Sequence, residues 1–469
     1  MKVLLIHPHS KALGFGDMIR AEPLGLESIA GNLREHLVKI LDLRIEGRRG
    51  LEKALSSFRP EVVGISCLWT CDHVRVQELA LFIKKKLPKS FLLIGGVHAS
   101  LCYEQFKEPI DAVIVGEGEE TLRELLEAIE SGKDGPLPGV FRPSDPKNFR
   151  PRGFIENLDD LPFPLRVRYK GVGYHLGFQR PLGLVEASRG CPFRCSFCAV
   201  WQFFKGTYRV KSPERVVEEL LNLSDPFVLF VDDNFLADPE RSMEIAFLIR
   251  RKSLKKYYTF QARSDSIVKH KDLLKLWKEI GLKAVFVGFE GISDEELLRL
   301  NKRLRVSTND QAIKVLEELG IDLWASFIVE PSFNLEEFKN LRTYVRSRSI
   351  KNASFSVLTP LPGTRLFEEL KEKIISNNYE LFDIAHSVLP TALSLEKFYE
   401  EFCSLYQEVY SAGDLIKEGF RAWIKGFPLK GLLKMLLSAK RLSSPSFYLK
   451  AHYLNTPRSL SFPSPDRAS

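Results

Sequence analysis

The stretch Arg189-Gly-Cys191-Pro-Phe-Arg-Cys195-Ser-Phe-Cys198-Ala199 sets three cysteines within eight residues, spaced Cys-x3-Cys-x2-Cys. Thiolates are the usual ligands of iron–sulfur clusters, and a [4Fe–4S] cube takes four ligands. Three thiolates from one short loop can wrap a cube and leave one iron open to a substrate or cofactor. A structural zinc site needs a fourth protein ligand. No His occurs from 176 to 269, and no fourth Cys is near. Zinc and a chance grouping among seven cysteines are the alternatives.

Around this loop, residues 182–371 alternate strand and helix patterns. Strands are expected at 184–187, 227–231, 258–261, 284–288, 323–328 and 354–358. Helices fall between them, for example at 214–223, 273–280 and 308–319. Six βα units predict a partial parallel barrel, whose chemistry sits at the C-terminal ends of the strands. The polar residues fall there. The cysteines follow the first strand and Asp232-Asp233-Asn234 the second. Ala262-Arg263-Ser-Asp265 follows the third, Phe289-Glu290 the fourth, Glu330-Pro331 the fifth and Thr359-Pro360-Leu-Pro-Gly-Thr364 the sixth.

Residues 1–131 hold five short apolar runs, at 3–6, 40–43, 62–65, 91–94 and 112–115, with amphipathic stretches at 24–37, 74–86 and 121–129. Five buried strands with crossovers predict a parallel, doubly wound, Rossmann-like sheet. Ligands on such sheets bind at the carboxyl ends of the strands. The loops there read His7-Pro-His9, Ser66-Cys67-Leu68-Trp69-Thr70-Cys71, Gly95-Gly96-Val-His98 and Gly116-Glu117-Gly118-Glu119. Their glycines let the backbone approach a bulky ligand. No Gly-x-Gly-x-x-Gly follows the first strand, so a nicotinamide or flavin dinucleotide is not indicated. Residues 132–181 read as a Pro- and Gly-rich linker, whose Leu and Phe residues predict packing on both neighbours.

The 469 residues, 44% hydrophobic and 27% charged, are ample for two or three soluble domains. The first apolar run is too short for a signal peptide, and no stretch reaches a membrane span. A cytoplasmic protein is therefore expected, and clustered cysteines fit a reducing compartment. Residues 414–454 carry eight Lys or Arg against Asp414 and Glu418, so six of the net +8 charges lie there. The bases interleave with Phe420, Trp423, Ile424, Phe427, Leu432, Leu433, Met435, Leu436 and Leu437, and Pro428 predicts two short helices. This pattern reads either as a peripheral membrane element or as a helical pair packed on the barrel with a solvated basic face. No RNA-binding motif accompanies it, so nucleic acid is not expected.

With Phe197 before the last cysteine and Arg189-Gly190 before the first, the cluster motif resembles the signature of the radical S-adenosylmethionine (SAM) superfamily. A five-stranded parallel domain ahead of such a barrel resembles the cobalamin-dependent class, with Gly-Gly-x-His, Gly-Glu-Gly-Glu and the linker's Leu158-Asp-Asp-Leu-Pro162 in support. Three further segments look like those of hopanoid C-3 methylases: Glu22-Pro-Leu-Gly-Leu-Glu27, Ala199-Val-Trp-Gln-Phe-Phe-Lys-Gly-Thr-Tyr-Arg209, and 381–399, which contains Asp383-Ile-Ala-His386.

The resemblance implies three cofactors: a [4Fe–4S] cluster on Cys191, Cys195 and Cys198, SAM on its open iron, and cobalamin. One electron would cleave SAM to a radical that removes a substrate hydrogen, and the substrate carbon would then take a methyl from cobalamin. An electron donor of flavodoxin or ferredoxin type is implied. Asp232, Asp233 and Asn234 replace the family's Gly-Gly-Glu-like segment and would contact SAM, or else cap a helix. Arg263 and Glu290 would contact the SAM carboxylate and ribose, or pair with each other at the barrel mouth. Thr359 and Pro360 would pack on adenine, or form only a turn. For cobalamin, Leu68, Trp69, Thr70, Gly95, Gly96, His98, Gly116, Glu117, Gly118 and Glu119 are the candidates. Trp69 as a core residue and His98 as a satisfied loop histidine are the alternatives. The Asp-x-His-x-x-Gly motif is absent, so the cobalt's lower face is expected to lack a His, with Leu68-Trp69-Thr70 placed to cover it. Cys67, Cys71 and Cys102 are expected as buried thiols rather than a second metal site.

The function implied is methylation of an unactivated carbon of a polycyclic lipid. The alternatives are another cobalamin-dependent radical SAM reaction, such as ring closure or methylation of a different natural product, or a non-catalytic iron–sulfur scaffold. The domains expected are 1–131 (cobalamin), 132–181 (linker), 182–371 (radical SAM barrel) and 372–469 (helical), with localisation in the cytoplasm or peripherally on the inner membrane face.

Overall fold

The computed structural model describes residues 1–10, 19–133, 135–169, 173–410, 412–424 and 426–454. Lys425, the side chains of Asp414 and Glu418, and residues 455–469 of the expected C-terminal region lie outside these.

The N-terminal sheet is built from β1 (Lys2–His7), β2 (Leu37–Asp42), β3 (Val62–Ser66), β4 (Phe91–Gly95), β5 (Ala112–Ile114) and β6 (Val140–Phe141), in the order β2-β1-β3-β4-β5-β6. The first five run parallel, as their apolar runs predict, because both faces are covered by helices. The sixth is antiparallel and comes from the expected linker. The order reverses at β1/β3, the crevice where open α/β sheets take ligands. Helices α1 (Leu24–Gly31), α2 (His73–Lys86), α3 (Val97–Leu101) and α4 (Gly118–Glu130) cover the sheet. The amphipathic stretch at 24–37 yields only the eight residues of α1, since Leu37 already belongs to β2.

The second sheet contains β7 (Leu182–Val185), β8 (Phe227–Phe230), β9 (Tyr257–Gln261), β10 (Leu282–Glu290), β11 (Asp322–Val329) and β12 (Ala353–Val357), each pairing with the next in parallel. This is the expected partial barrel of six strands. Its core is aromatic: Trp277 lies edge-on to Phe230, Phe235, Tyr258 and Phe260 at 5.2–5.7 Å. The buried indole donates to Ser242 Oγ at 3.0 Å, as a buried Trp N–H requires.

The linker is not free chain. Arg166 bonds Glu22 of the first domain and Glu219 of the second, and Arg168 bonds Glu22 and Asp225. Leu158 is buried, and Asp159 accepts the Ser212 backbone N–H at 2.9 Å. After the barrel, α5 (Leu395–Val409) seals its last strand, with Tyr406 donating to the Phe355 carbonyl. Helices α6 (Ala412–Ile424), α7 (Leu429–Leu442) and α8 (Pro445–Leu454) follow, with the break at Pro428 as expected. Phe427, Leu432 and Met435 are buried in a small cluster with Ala422. Ile416, Phe420, Trp423, Ile424, Leu429, Leu433, Leu436 and Leu437 are exposed. Part of the apolar face thus packs inward and part faces solvent. No helix among the described residues is long and apolar enough to cross a membrane.

Candidate functional site

The cysteine loop hangs from a short antiparallel ribbon, Ser188–Gly190 with Tyr208–Val210, at the C-terminal end of β7. Gly190 sits at φ +88°, and a Cβ there would lie 2.1 Å from the Thr207 carbonyl oxygen, so only glycine turns the chain into the loop. The loop is pinned on three sides. Trp201 Nε1 donates to the Cys195 carbonyl at 2.8 Å, the Ser196 N–H to the Leu300 carbonyl at 3.1 Å, and the Leu366 N–H to the Ser196 carbonyl at 3.0 Å. Cys195 is buried and Cys191 and Cys198 are half-buried; Cys191 lies in the field of Cys195, and Cys198 in the fields of Cys195 and Cys191. Burial pushes the Cys198 thiol up to about 12, so holding thiolates here requires a compensating positive centre. Among the described residues no three His, Cys, Asp or Glu side chains converge as around a single metal ion. A [4Fe–4S] cube takes one thiolate at each of three irons, which a loop with three cysteines can supply, whereas a structural zinc needs a fourth protein ligand.

Asp232, Asp233 and Asn234 follow β8. Asp232 is buried, accepts the Ala187 N–H at 3.0 Å and the Ser188 hydroxyl, and so braces the ribbon that carries the loop. Desolvation lifts its carboxyl to about 6. Desolvation, with Asp232 and Glu186 adding to it, lifts Asp233 to about 7, and Asp233 acts on both Cys191 and Cys198. Asn234 is 1% exposed, and neither polar atom of its amide has a partner among the described residues. Asn234 stands at the N-cap position of the short 3-10 turn Phe235–Ala237, but its side chain makes no capping bond there, and the longer helix Pro239–Arg251 is capped by Asp238.

Arg263, after β9, lies 3.6 Å over the Phe193 ring inside the cysteine loop and bonds Asp265 and the Lys302 carbonyl. Glu290, at φ +68°, accepts from Lys302 Nζ at 2.9 Å. The expected alternative pairing of Arg263 with Glu290 is therefore not formed; Asp265 and Lys302 take those roles. Thr359 is buried and donates to the Val357 carbonyl, and Pro360 continues the turn. At Gly363 in the same loop, a Cβ would stand 2.9 Å from Leu101 Cβ of α3, so the barrel mouth meets the first domain here.

On the facing side, the glycines behave differently from one another. Gly116 has φ +92° and open space where its Cβ would lie. A Cβ on Gly96 would meet the Cys67 carbonyl at 2.8 Å, one on Gly118 would meet Ile29 at 2.9 Å, and one on Gly95 would make only ordinary contact. Trp69 is 56% exposed and Leu68 lies beside it at the surface, so Trp69 is not a core residue. Thr70 turns inward to His98 Nδ1 at 3.1 Å, while His98 Nε2 lies 3.0 Å from His73 Nδ1. His98 is thus the satisfied histidine of the alternative reading, and the expected surface roles of Thr70 and His98 are not available to their side chains. Cys67, Cys71 and Cys102 are buried with their thiols pushed up, Cys102 to about 12, as expected of inert thiols.

Glu117 and Glu119 depart from expectation. Rather than facing the sheet crevice, they receive Arg189, the residue that opens the cysteine motif, at 2.7 and 2.6 Å; Glu186 completes its fork at 2.8 Å. Arg209 adds a second bond to Glu117. Charge pairs this far apart along the chain leave no local sequence signal. Arg189 and Lys302 were therefore invisible as a clamp and a brace.

The comparisons agree with this geometry. The Radical SAM superfamily profile matches residues 185–345, and the B12 binding domain profile matches residues 20–126. Hopanoid C-3 methylase of Methylococcus capsulatus is 35% identical over 87% of this chain and 80% of its own length. An uncharacterized methyltransferase of Pyrococcus horikoshii is 31% identical over 78% of this chain and 83% of its own. Among solved structures, the cobalamin-dependent SAM radical enzyme OxsB with aqua-cobalamin and SAM superposes with a TM-score of 0.67 at 17% identity, covering 96% of this chain and 75% of that one. The methyltransferase TsrM of Kitasatospora setae with cobalamin and a [4Fe–4S] cluster gives 0.64 at 18% identity, covering 80% and 75%. The chain belongs to the cobalamin-dependent radical SAM methyltransferases, in the family that includes hopanoid C-3 methylase.

Proposed function

We propose that this enzyme methylates an unactivated carbon of an apolar polycyclic lipid of the hopanoid type. The observation that carries the reading is the likeness over most of both chains to a hopanoid C-3 methylase. The opposition of the pinned three-cysteine loop to the glycine loops of the first sheet accords with it. When bound, the cluster, SAM and cobalamin supply radical hydrogen abstraction and a transferable methyl group. The chain's part is to position them and exclude water.

Cys191, Cys195 and Cys198 would hold the cluster. Asn234, with its two partnerless buried amide atoms, together with Asp233 and Arg263, would meet the SAM amino and carboxylate groups. Glu290 would face the ribose, and Thr359-Pro360 the adenine. Gly95 and Gly116 would give cobalamin room, with Leu68 and Trp69 against the lower face of the corrin. The domains would then run 1–131, 132–181, 182–371 and 372–469.

The substrate class calls for a membrane surface. Exposed Trp423, Ile424, Leu433 and Leu437, set among exposed Lys417, Arg421, Lys430 and Lys434, would rest on the inner membrane face. The decisive experiment compares lipid extracts of a producing strain and its deletion by mass spectrometry. A lipid heavier by one CH2 that vanishes with the gene supports the reading. A product lighter by two hydrogens, or an unchanged lipid profile, refutes it. Changing any one of the three cysteines to Ala should lower the iron content and abolish 5′-deoxyadenosine formation.

A further inference from the structure

The turn Asp383-Ile384-Ala385-His386 lies in one of the segments that look like those of hopanoid C-3 methylases, and no cofactor site described above uses it. It stands where the two domains meet. The Ile384 carbonyl accepts the Val357 N–H at 2.7 Å, which places the turn at the C-terminal end of β12, on the rim of the barrel mouth. Just before it, Tyr379 lies edge-on to His73 and His98 of the first domain, at 5.2 and 5.9 Å. Burial, with Asp72 and Asp383 adding to it, pushes up the Cys71 thiol, whose loop carries exposed Leu68 and Trp69.

Ile384 is an unexpected residue for this turn. Its φ is +58°, a left-handed backbone that crowds any Cβ and a β-branched one most of all. Eight non-glycine residues have positive φ among the described residues, and the other seven are Arg, Lys, Ser, Glu or Asn. The neighbours of Ile384 hold the strain in place. The Asp383 carboxylate accepts the Ala385 N–H at 3.0 Å, the His386 N–H at 2.9 Å and the His386 ring Nδ1–H at 3.0 Å. Ala385 packs against the helix-covered core of the barrel, and the Ser387 N–H donates to the Tyr399 hydroxyl. Phe382, Asp383, His386 and Ser387 are buried, whereas Ile384 is 38% exposed. The fold thus pins a strained backbone there and leaves much of the side chain uncovered. Glycine or asparagine would adopt the same backbone with less strain. Such strain collects at ligand sites, and an exposed isoleucine offsets it only when another apolar surface covers the side chain.

We propose that Ile384 contacts the substrate, packing against the apolar ring system of the lipid where the barrel mouth meets the first domain. The inference rests on the lipid reading above.

The test uses the reconstituted full-length enzyme and a hopanoid lipid presented in phospholipid vesicles. Ile384→Gly relieves the backbone and removes the side chain. Its melting temperature should match or exceed that of the wild type, with iron and cobalamin contents unchanged. Its apparent KM for the lipid should rise by about five- to tenfold, with a smaller fall in kcat. Ile384→Val keeps most of the apolar surface and should stay within about twofold of the wild-type KM. A KM for Ile384→Gly equal to that of the wild type overturns the proposal. An equal rise in both variants overturns it too, since the loss would not follow the apolar contact. Loss of cobalamin from Ile384→Gly also overturns it, by assigning the residue to that cofactor's site. Wild-type enzyme that cleaves SAM but transfers no methyl group to the lipid refutes the lipid reading, and this inference with it.

Discussion

Asn234 buries an amide that nothing satisfies among the described residues. A buried, unpartnered polar group costs about 1–3 kcal/mol. A purely structural position would not keep that cost when Leu has nearly the same volume. Asn234→Leu should therefore leave the melting temperature unchanged or raise it, and keep the iron content. SAM affinity should fall by about 10- to 100-fold, matching one lost charge-assisted hydrogen bond. Calorimetry and equilibrium binding on the reconstituted enzyme read the two effects separately. A lower melting temperature with unchanged SAM affinity would make Asn234 a structural residue.

At the scale of elements, two buried polar networks join pieces far apart in sequence. Arg189 is 7% exposed and forks onto Glu186, Glu117 and Glu119, tying the loop after β5 to the ribbon that carries the cysteines. Removing one partner of such a buried network leaves uncompensated charge and costs about 3–5 kcal/mol. Arg189→Lys keeps the charge and loses the planar fork. This variant should retain iron and 5′-deoxyadenosine formation, while methylated product per 5′-deoxyadenosine falls severalfold, because the two cofactor sites lose their fixed spacing. Equal loss of both products would leave Arg189 no coupling role.

The second network joins α2 to α3, where His73 and His98 meet beneath Tyr379. Burial holds His98 at about 3 and His73 at about 4, against 6.5 for a free imidazole. The folded state thus refuses protons that the unfolded chain accepts below pH 6.5. Stability should be full above pH 6.5 and decline as the pH falls toward 4. In denaturant melts between pH 7 and 4.5, His73→Phe should show a shallower decline than the wild type.

For the whole molecule, the proposed lipid substrate would have to be met at a membrane surface. The exposed faces of α6 and α7 combine Trp423, Ile424 and Leu433 with four exposed bases, each base adding about 1 kcal/mol near an anionic surface. Removing the C-terminus outright would be a poor test, since Tyr448 of α8 is fully buried and stacks on Tyr399 of α5 at 5.0 Å. Trp423→Glu with Leu433→Glu changes only exposed positions. That variant should sediment more weakly with anionic vesicles and cleave SAM at the wild-type rate. Unchanged sedimentation would mean that this face serves another purpose.

The cysteine spacing, the strand periodicities of both sheets and the break at Pro428 are local properties, so the chain displays them without its fold. A period of two or 3.6 is set by neighbouring residues, and a cluster loop is short enough to be written in eight of them. The partners of charged groups are not local. Glu117 and Glu119 read as ligand-facing until folding brings Arg189 onto them, about seventy residues away in sequence. His98 likewise reads as a loop ligand until His73 and Thr70 enclose it. Arg263 finds Phe193 and the Lys302 carbonyl instead of Glu290. Sequence alone determined which chemistry the chain is equipped for. The tertiary structure decided which polar side chains remain free to perform it, because a buried charge must take whatever partner the packing of distant segments provides.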